Sequence, residues 1–186
     1  VMGFQTTGTA SEYFAVEESK VTALPDEMDY NDGAMIEPLA VTVHAAKHYE
    51  HLEGANVAVL GCGPIGILLA QTCKALGAAK VMITDVSDYR LDLAKKCGVD
   101  YAINTKNVDF GDAMVEHFGP DKEDVIYDCA GNNITIGQAI KYARKGSKLV
   151  LVAVFAGLAT VDLFTLNDHE LDLDSTMMYR HEDYVD

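Results

Sequence analysis

NVAVLGCGPIGILLAQTCKALGAAKVMITD runs from Asn56 to Asp85 and sets the architecture of everything after it. Val57 to Leu60 is an apolar run suited to a strand buried on both faces. It stops at Gly61, and Gly61-Cys62-Gly63-Pro64-Ile65-Gly66 supplies a G-x-G-x-x-G spacing. Ile67 to Leu76 contains no helix breaker and predicts a helix, closed by Gly77, a residue suited to a left-handed cap. Val81 to Thr84 predicts a second buried strand with Asp85 at its carboxyl end.

Each part of that pattern suits a dinucleotide. Gly61 permits a tight turn, Gly63 lets backbone approach a pyrophosphate, and Gly66 lets the helix pack closely on the strand. The helix N-terminus presents unpaired N–H groups and partial positive charge to the same phosphates. Pro64 fits the first helical turn, where its missing donor costs nothing, with Ile65 beside it. Asp85, nineteen residues past Gly66, is placed to accept hydrogen bonds from ribose hydroxyls. A 2′-phosphate would meet like charge there, so NAD is expected in preference to NADP. A packing turn with a chance aspartate is the plain alternative, but strand, helix and acid all stand at the required distances.

Outward from this unit the alternation continues. Helices are expected over Asp88 to Cys97, Asp109 to Phe118 and Ile134 to Arg144. Strands are expected at Tyr101 to Ile103, Asp124 to Asp128, Ser147 to Phe155 and Ser175 to Tyr179, with Asp162 to Asp174 as a link. Repeated βαβ units imply an α/β fold, a doubly wound parallel sheet of Rossmann type with right-handed crossovers. Ligand then lies across the carboxyl ends at the switch between the first and fourth strands, among the glycine loop, Asp85, Asp128 to Gly131 and Val152 to Val154. Ahead of the sheet, Gly33 to His51 is apolar at helical spacing, with Pro38 marking a bend or fresh start and Asp29 or Asn31 as a cap. Val1 to Leu24 suggests two short strands, Ser11 to Val16 and Val21 to Leu24, too small to hold a core. The expected division is therefore 1–40, a remnant of another domain with its connecting helix, and 41–186, the dinucleotide domain.

Composition narrows the partners. Lys plus Arg is 14 against 29 for Asp plus Glu, a net charge of −15, which argues against nucleic acid or an anionic membrane surface. Cys62, Cys73, Cys97 and Cys129 form no C-x-x-C pair, so neither a zinc knot nor a disulfide framework is indicated, and a reducing, cytoplasmic setting is expected. The first residues lack the basic and apolar regions of a signal peptide, and no apolar run is long enough to span a bilayer.

Met35-Ile36-Glu37-Pro38-Leu39-Ala40-Val41, VAVLGCGPIG, ITDVSDYRLDLAKKCGVD, DCAG and KLVLV, in this order, resemble the zinc-dependent medium-chain dehydrogenases, and within them the polyol branch. The resemblance runs over nearly the whole chain, and the I-E-P-L stretch discriminates more than the glycine loop. It implies an oxidoreductase that moves hydride from a secondary alcohol or polyol to NAD, working as a homo-oligomer, dimer or tetramer. It also implies a catalytic zinc, with Glu37 approaching the metal directly or through its water. Zinc would polarise the substrate alcohol so that an alkoxide can give up hydride. By the same resemblance Val41 faces the nicotinamide ring, backbone near Val152 and Val154 meets its carboxamide, and Arg90 meets the adenosine ribose. A substrate-side arginine of polyol enzymes falls at Tyr179, one residue before Arg180. The family's upstream Cys and His-Glu ligands and its four-cysteine zinc lobe do not occur in this sequence. Zinc is therefore expected in a full-length enzyme and not in this piece, which should bind cofactor without turning over.

Plainer roles stand beside these. Glu37 could cap a helix starting at Pro38. His44 and His48, four apart, could be ordinary surface histidines instead of metal ligands. Asp128 could be satisfied by backbone alone, while Cys62 could fill a variable position and Cys129 simply pack. A second function class, a non-catalytic Rossmann domain that senses a nucleotide, shares the fold. The MIEPLAV stretch favours the enzyme.

Overall fold

A computed structural model describes Gly3 and residues 5–184; Val1, Met2, Phe4, Val185 and Asp186, at the ends of the expected 1–40 and 41–186 segments, lie outside the described residues. The chain divides into two compact units, Val1–Ala34 and Met35–Asp186.

The second unit is a six-stranded parallel sheet in the order β3-β2-β1-β4-β5-β6. Its strands are β1 (Asn56–Leu60), β2 (Lys80–Asp85), β3 (Tyr101–Asn104), β4 (Val125–Asp128), β5 (Lys148–Leu151) and β6 (Asp172–Ser175). All five pairings are parallel. Helices α1 (Tyr30–Lys47), α2 (Pro64–Ala75), α3 (Asp88–Lys96), α4 (Phe110–Phe118), α5 (Asn133–Tyr142) and α6 (Leu163–Asp168) complete the fold. The doubly wound α/β class expected from the alternation is the one observed.

The two-residue period of a strand divides β1 between two cores. Val57 and Val59 join Leu69, Cys73, Val81, Ile83, Tyr127 and Val150 on one face. Ala58 and Leu60 join Met82, Phe110, Met114, Ile126, Ile140 and Leu149 on the other. Burying each large aliphatic side chain contributes about 1.5–3 kcal/mol, which is why β1 tolerates no polar residue after Asn56. A buried phenol pins α1 to the first face, where the Tyr127 hydroxyl donates to the Ala46 carbonyl at 3.2 Å. A Thr42–Thr72 hydroxyl contact at 2.8 Å ties α1 to α2.

Several local expectations are corrected. Neither Ser11 to Val16 nor Val21 to Leu24 forms a strand; the only regular structure there among the described residues is a 3₁₀ turn at Glu18–Lys20. β-propensity without a paired neighbour does not hold a ladder. α1 begins at Tyr30, capped by the Asp29 carboxylate, which accepts from the Asn31 and Asp32 amides at 2.7 and 2.8 Å, and it continues across Pro38. β5 stops at Leu151 and not at Phe155; past the last rung, in which the Val152 amide donates to the Asp128 carbonyl, the Ala153 amide donates to that same carbonyl, both at 2.9 Å. β6 is Asp172–Ser175 in place of Ser175 to Tyr179, and the link before it contains α6, capped by Asp162. Among the described residues no helix is long and apolar enough to cross a membrane.

Candidate functional site

The carboxyl ends of the central strands meet at the glycine loop. Gly61 sits at φ +99°, and a Cβ there would stand 3.0 Å from the Ala130 amide nitrogen, so glycine is required twice over. A Cβ on Gly66 would collide with the Gly61 carbonyl oxygen; its absence brings α2 down onto the turn. Gly63 differs from both. Its φ of −78° suits any residue, and a Cβ would meet no protein atom within 4 Å. Space is thus left free in front of α2, whose N-terminus has no side-chain cap and carries Pro64 at its start. Exposed Pro64 and half-buried Ile65 stand there with the first-turn N–H groups. An uncapped 12-residue helix that points its amides at open space is suited to an anion.

Asp85 closes the second side. Its side chain is only 7% exposed, and both carboxylate oxygens have donors. Oδ1 accepts from the Val86 and Ser87 amides at 2.8 and 2.9 Å, and Oδ2 accepts from the Cys62 amide at 2.9 Å. The exposed Arg90 guanidinium lies 3.5 Å from Oδ2. A carboxylate anchored to the glycine loop and flanked by one cation is placed to accept from a diol.

Asp128 occupies the matching position on β4, opposite Leu60 in register. It is 2% exposed. Oδ1 accepts from the Ala130 and Gly131 amides at 2.9 and 3.0 Å, and Oδ2 accepts from the Thr135 hydroxyl at 3.0 Å. Burial pushes its carboxyl up, and these three donors pull only part of the way back. Gly131, at φ +67°, lies so near Ala153 that a Cβ would come within 2.6 Å of the alanine methyl. This brings the half-buried Val152 and the 75% exposed Val154 to the same rim.

Sequence reasoning undervalued Cys62. It is buried, its thiol donates to the Arg90 carbonyl at 3.1 Å, and burial above all pushes that thiol up to about 11. Nothing in its local pattern signals this, because its partners arrive from α3 and β2.

The metal side is different. Glu37 lies inside α1, away from any helix start, and is exposed; half-buried Val41 follows one turn later. The Tyr179 phenol is held well above its ordinary range by the Tyr184 hydroxyl, by burial and by the Glu37 carboxylate. His44 Nδ1 meets Asp183 at 2.9 Å and His48 Nδ1 meets Asp174 at 2.8 Å, so each histidine has its own carboxylate. For Asp183, burial opposes ionisation, but Lys47 at 2.8 Å and the Arg180 amide outweigh it and hold its carboxyl low. Among the described residues no three His, Cys, Asp or Glu side chains are grouped to hold a metal ion, and these residues do not by themselves fit a catalytic zinc.

Known proteins resemble this chain in sequence and fold. The chain is 30% identical over 177 residues to a sorbitol dehydrogenase from Bacillus subtilis, covering 92% of this chain and 49% of that protein. A short chain alcohol dehydrogenase from Escherichia coli CFT073, complexed with NADH, superposes with a TM-score of 0.90 at 27% identity, over 100% of this chain and 55% of that one. A dehydrogenase from Sinorhizobium meliloti 1021 bound to NADP gives 0.79 at 25% identity, over 87% and 48%. The chain thus spans about half the length of the relatives it matches. Residues 64–186 match the model of the zinc-binding dehydrogenases. By that match the chain belongs to the zinc-binding dehydrogenase family.

Proposed function

We propose that this chain is the NAD-binding part of a zinc-dependent alcohol or polyol dehydrogenase. The observation that carries the cofactor assignment is Asp85. Relatives are known with NADH and with NADP bound, so family membership does not choose between them. A carboxylate tied to the Cys62 amide at the end of β2 favours NAD, since it can accept from a ribose diol and would repel a 2′-phosphate. NAD supplies the hydride acceptor when bound. The α2 N-terminus and the space at Gly63 receive the pyrophosphate, Asp85 and Arg90 hold the adenosine ribose, and Val41, Val152 and Val154 flank the nicotinamide.

Zinc belongs, in this proposal, to a full-length enzyme, where Glu37 would stand on the metal side. Turnover of a polyol or other secondary alcohol, a homo-oligomeric state through the β6 edge, and a reducing cytoplasmic setting suited to four unpaired cysteines belong to the same proposal. A nucleotide-sensing role remains the second reading of the fold, and the MIEPLAV stretch is what favours the enzyme. Calorimetric titration with NADH and NADPH is the test. Tighter binding of NADH is expected, and tighter binding of NADPH would overturn the assignment.

A further inference from the structure

We propose that Cys62 is a positioning residue for cofactor discrimination, fixing Asp85 and Arg90 as one unit at the adenosine ribose. The inference rests on the dinucleotide-binding reading above. Cys62 is the first variable position of the glycine loop, where a side chain need only avoid the turn. Here it grips two other elements. The residue is 1% exposed; its amide donates to Asp85 Oδ2 at 2.9 Å, and its thiol donates to the Arg90 carbonyl at 3.1 Å. Arg90 Nη1 returns to that same Oδ2 at 3.5 Å. Loop, carboxylate and the first turn of α3 thus form a closed ring of contacts.

The ring bears on specificity because its two charged members act oppositely on a 2′-phosphate. Asp85 repels that group, and a nearby arginine attracts it. Arg90 is the exposed member, with its side chain 56% exposed, while Asp85 is held by Val86 and Ser87 as well as by Cys62. The thiol holds the Arg90 backbone against the loop and so keeps the guanidinium facing the carboxylate. Without that grip the guanidinium gains freedom to turn toward a phosphate, while Asp85 stays in place.

The decisive comparison is Cys62→Ala with Cys62→Ser, which retains a donor for the Arg90 carbonyl. Affinities for NADH and NADPH are measured by calorimetry, and amide hydrogen exchange at Val86 and Ser87 without ligand. In Cys62→Ala the preference for NADH over NADPH should shrink by about two- to tenfold, the range of one net hydrogen bond, while exchange at both amides, whose acceptor Asp85 stays in place, should be unchanged. Cys62→Ser should stay near wild type in both measurements. A purely structural role would weaken both cofactors together and leave their ratio unchanged; that result, with wild type binding NADH normally, overturns this proposal alone. If wild type binds neither cofactor, the dinucleotide reading falls and the role of Cys62 falls with it.

Discussion

Two aspartates end neighbouring strands of β1, Asp85 on β2 and Asp128 on β4, and each accepts three hydrogen bonds. Their local settings look alike, yet they do different work. Asp128 spends its acceptors on the loop and the first turn of α5 that follow it, at 2% exposure. Asp85 reaches across to the glycine loop and faces an exposed arginine. An acid at a strand end is therefore a staple when its partners are all sequence neighbours. It becomes a ligand group when it bridges two loops beside an open helix terminus.

That contrast can be broken in order of expected effect. Asp128→Ala should cost about 3 kcal/mol of stability, roughly 1 kcal/mol for each of three lost hydrogen bonds, in chemical denaturation. It should weaken both cofactors alike; a selective loss of NADH would make Asp128 a ligand group after all. Gly63→Val should weaken NADH about a hundredfold, the equivalent of one or two charge-assisted hydrogen bonds, with an unchanged circular dichroism spectrum. Unchanged binding would remove the phosphate from the α2 N-terminus. Asp85→Ser should narrow the preference for NADH over NADPH by about tenfold, or 1.4 kcal/mol, in the same titration. The smallest effect is a pH slope. Because the Asp128 carboxyl is raised in the fold, its contribution is complete below the unfolded value of about 4 and is lost as pH rises through the folded value. Thermal melts should show wild type declining over that window more steeply than Asp128→Asn; parallel curves would show that burial does not govern this carboxyl.

The parts of this molecule that were legible beforehand are those where local chemistry and tertiary role coincide. Val57 to Leu60 is apolar because both faces of β1 are covered, and Gly61 and Gly66 are glycines because neighbouring atoms leave no room. β6 was misplaced because Asp172-Leu-Asp-Ser lacks strand-like apolar pattern. Its acids are accommodated by Lys148, at 3.0 Å from Asp172 and 3.2 Å from Asp174, and by His48. Those partners come from β5 and from the turn after α1, beyond any local window. At Pro38 the fresh start is not taken, because α1 is anchored by Ala46 and Thr42 further along and continues through it. Cys62 shows the same limit within the site: its identity makes sense only beside Arg90 and Asp85.

The Tyr127 hydroxyl under α1 gives the protein a built-in optical gauge. The chain has nine tyrosines and no tryptophan, so its near-ultraviolet absorbance comes chiefly from phenol rings. Burial drives the Tyr127 phenol far above its ordinary range while its proton is engaged by the Ala46 carbonyl. Its phenolate band can therefore emerge only when α1 lifts from the centre of the sheet. As base is added, a late step in phenolate absorbance would time that separation without any label, and Tyr127→Phe would identify the step by erasing it.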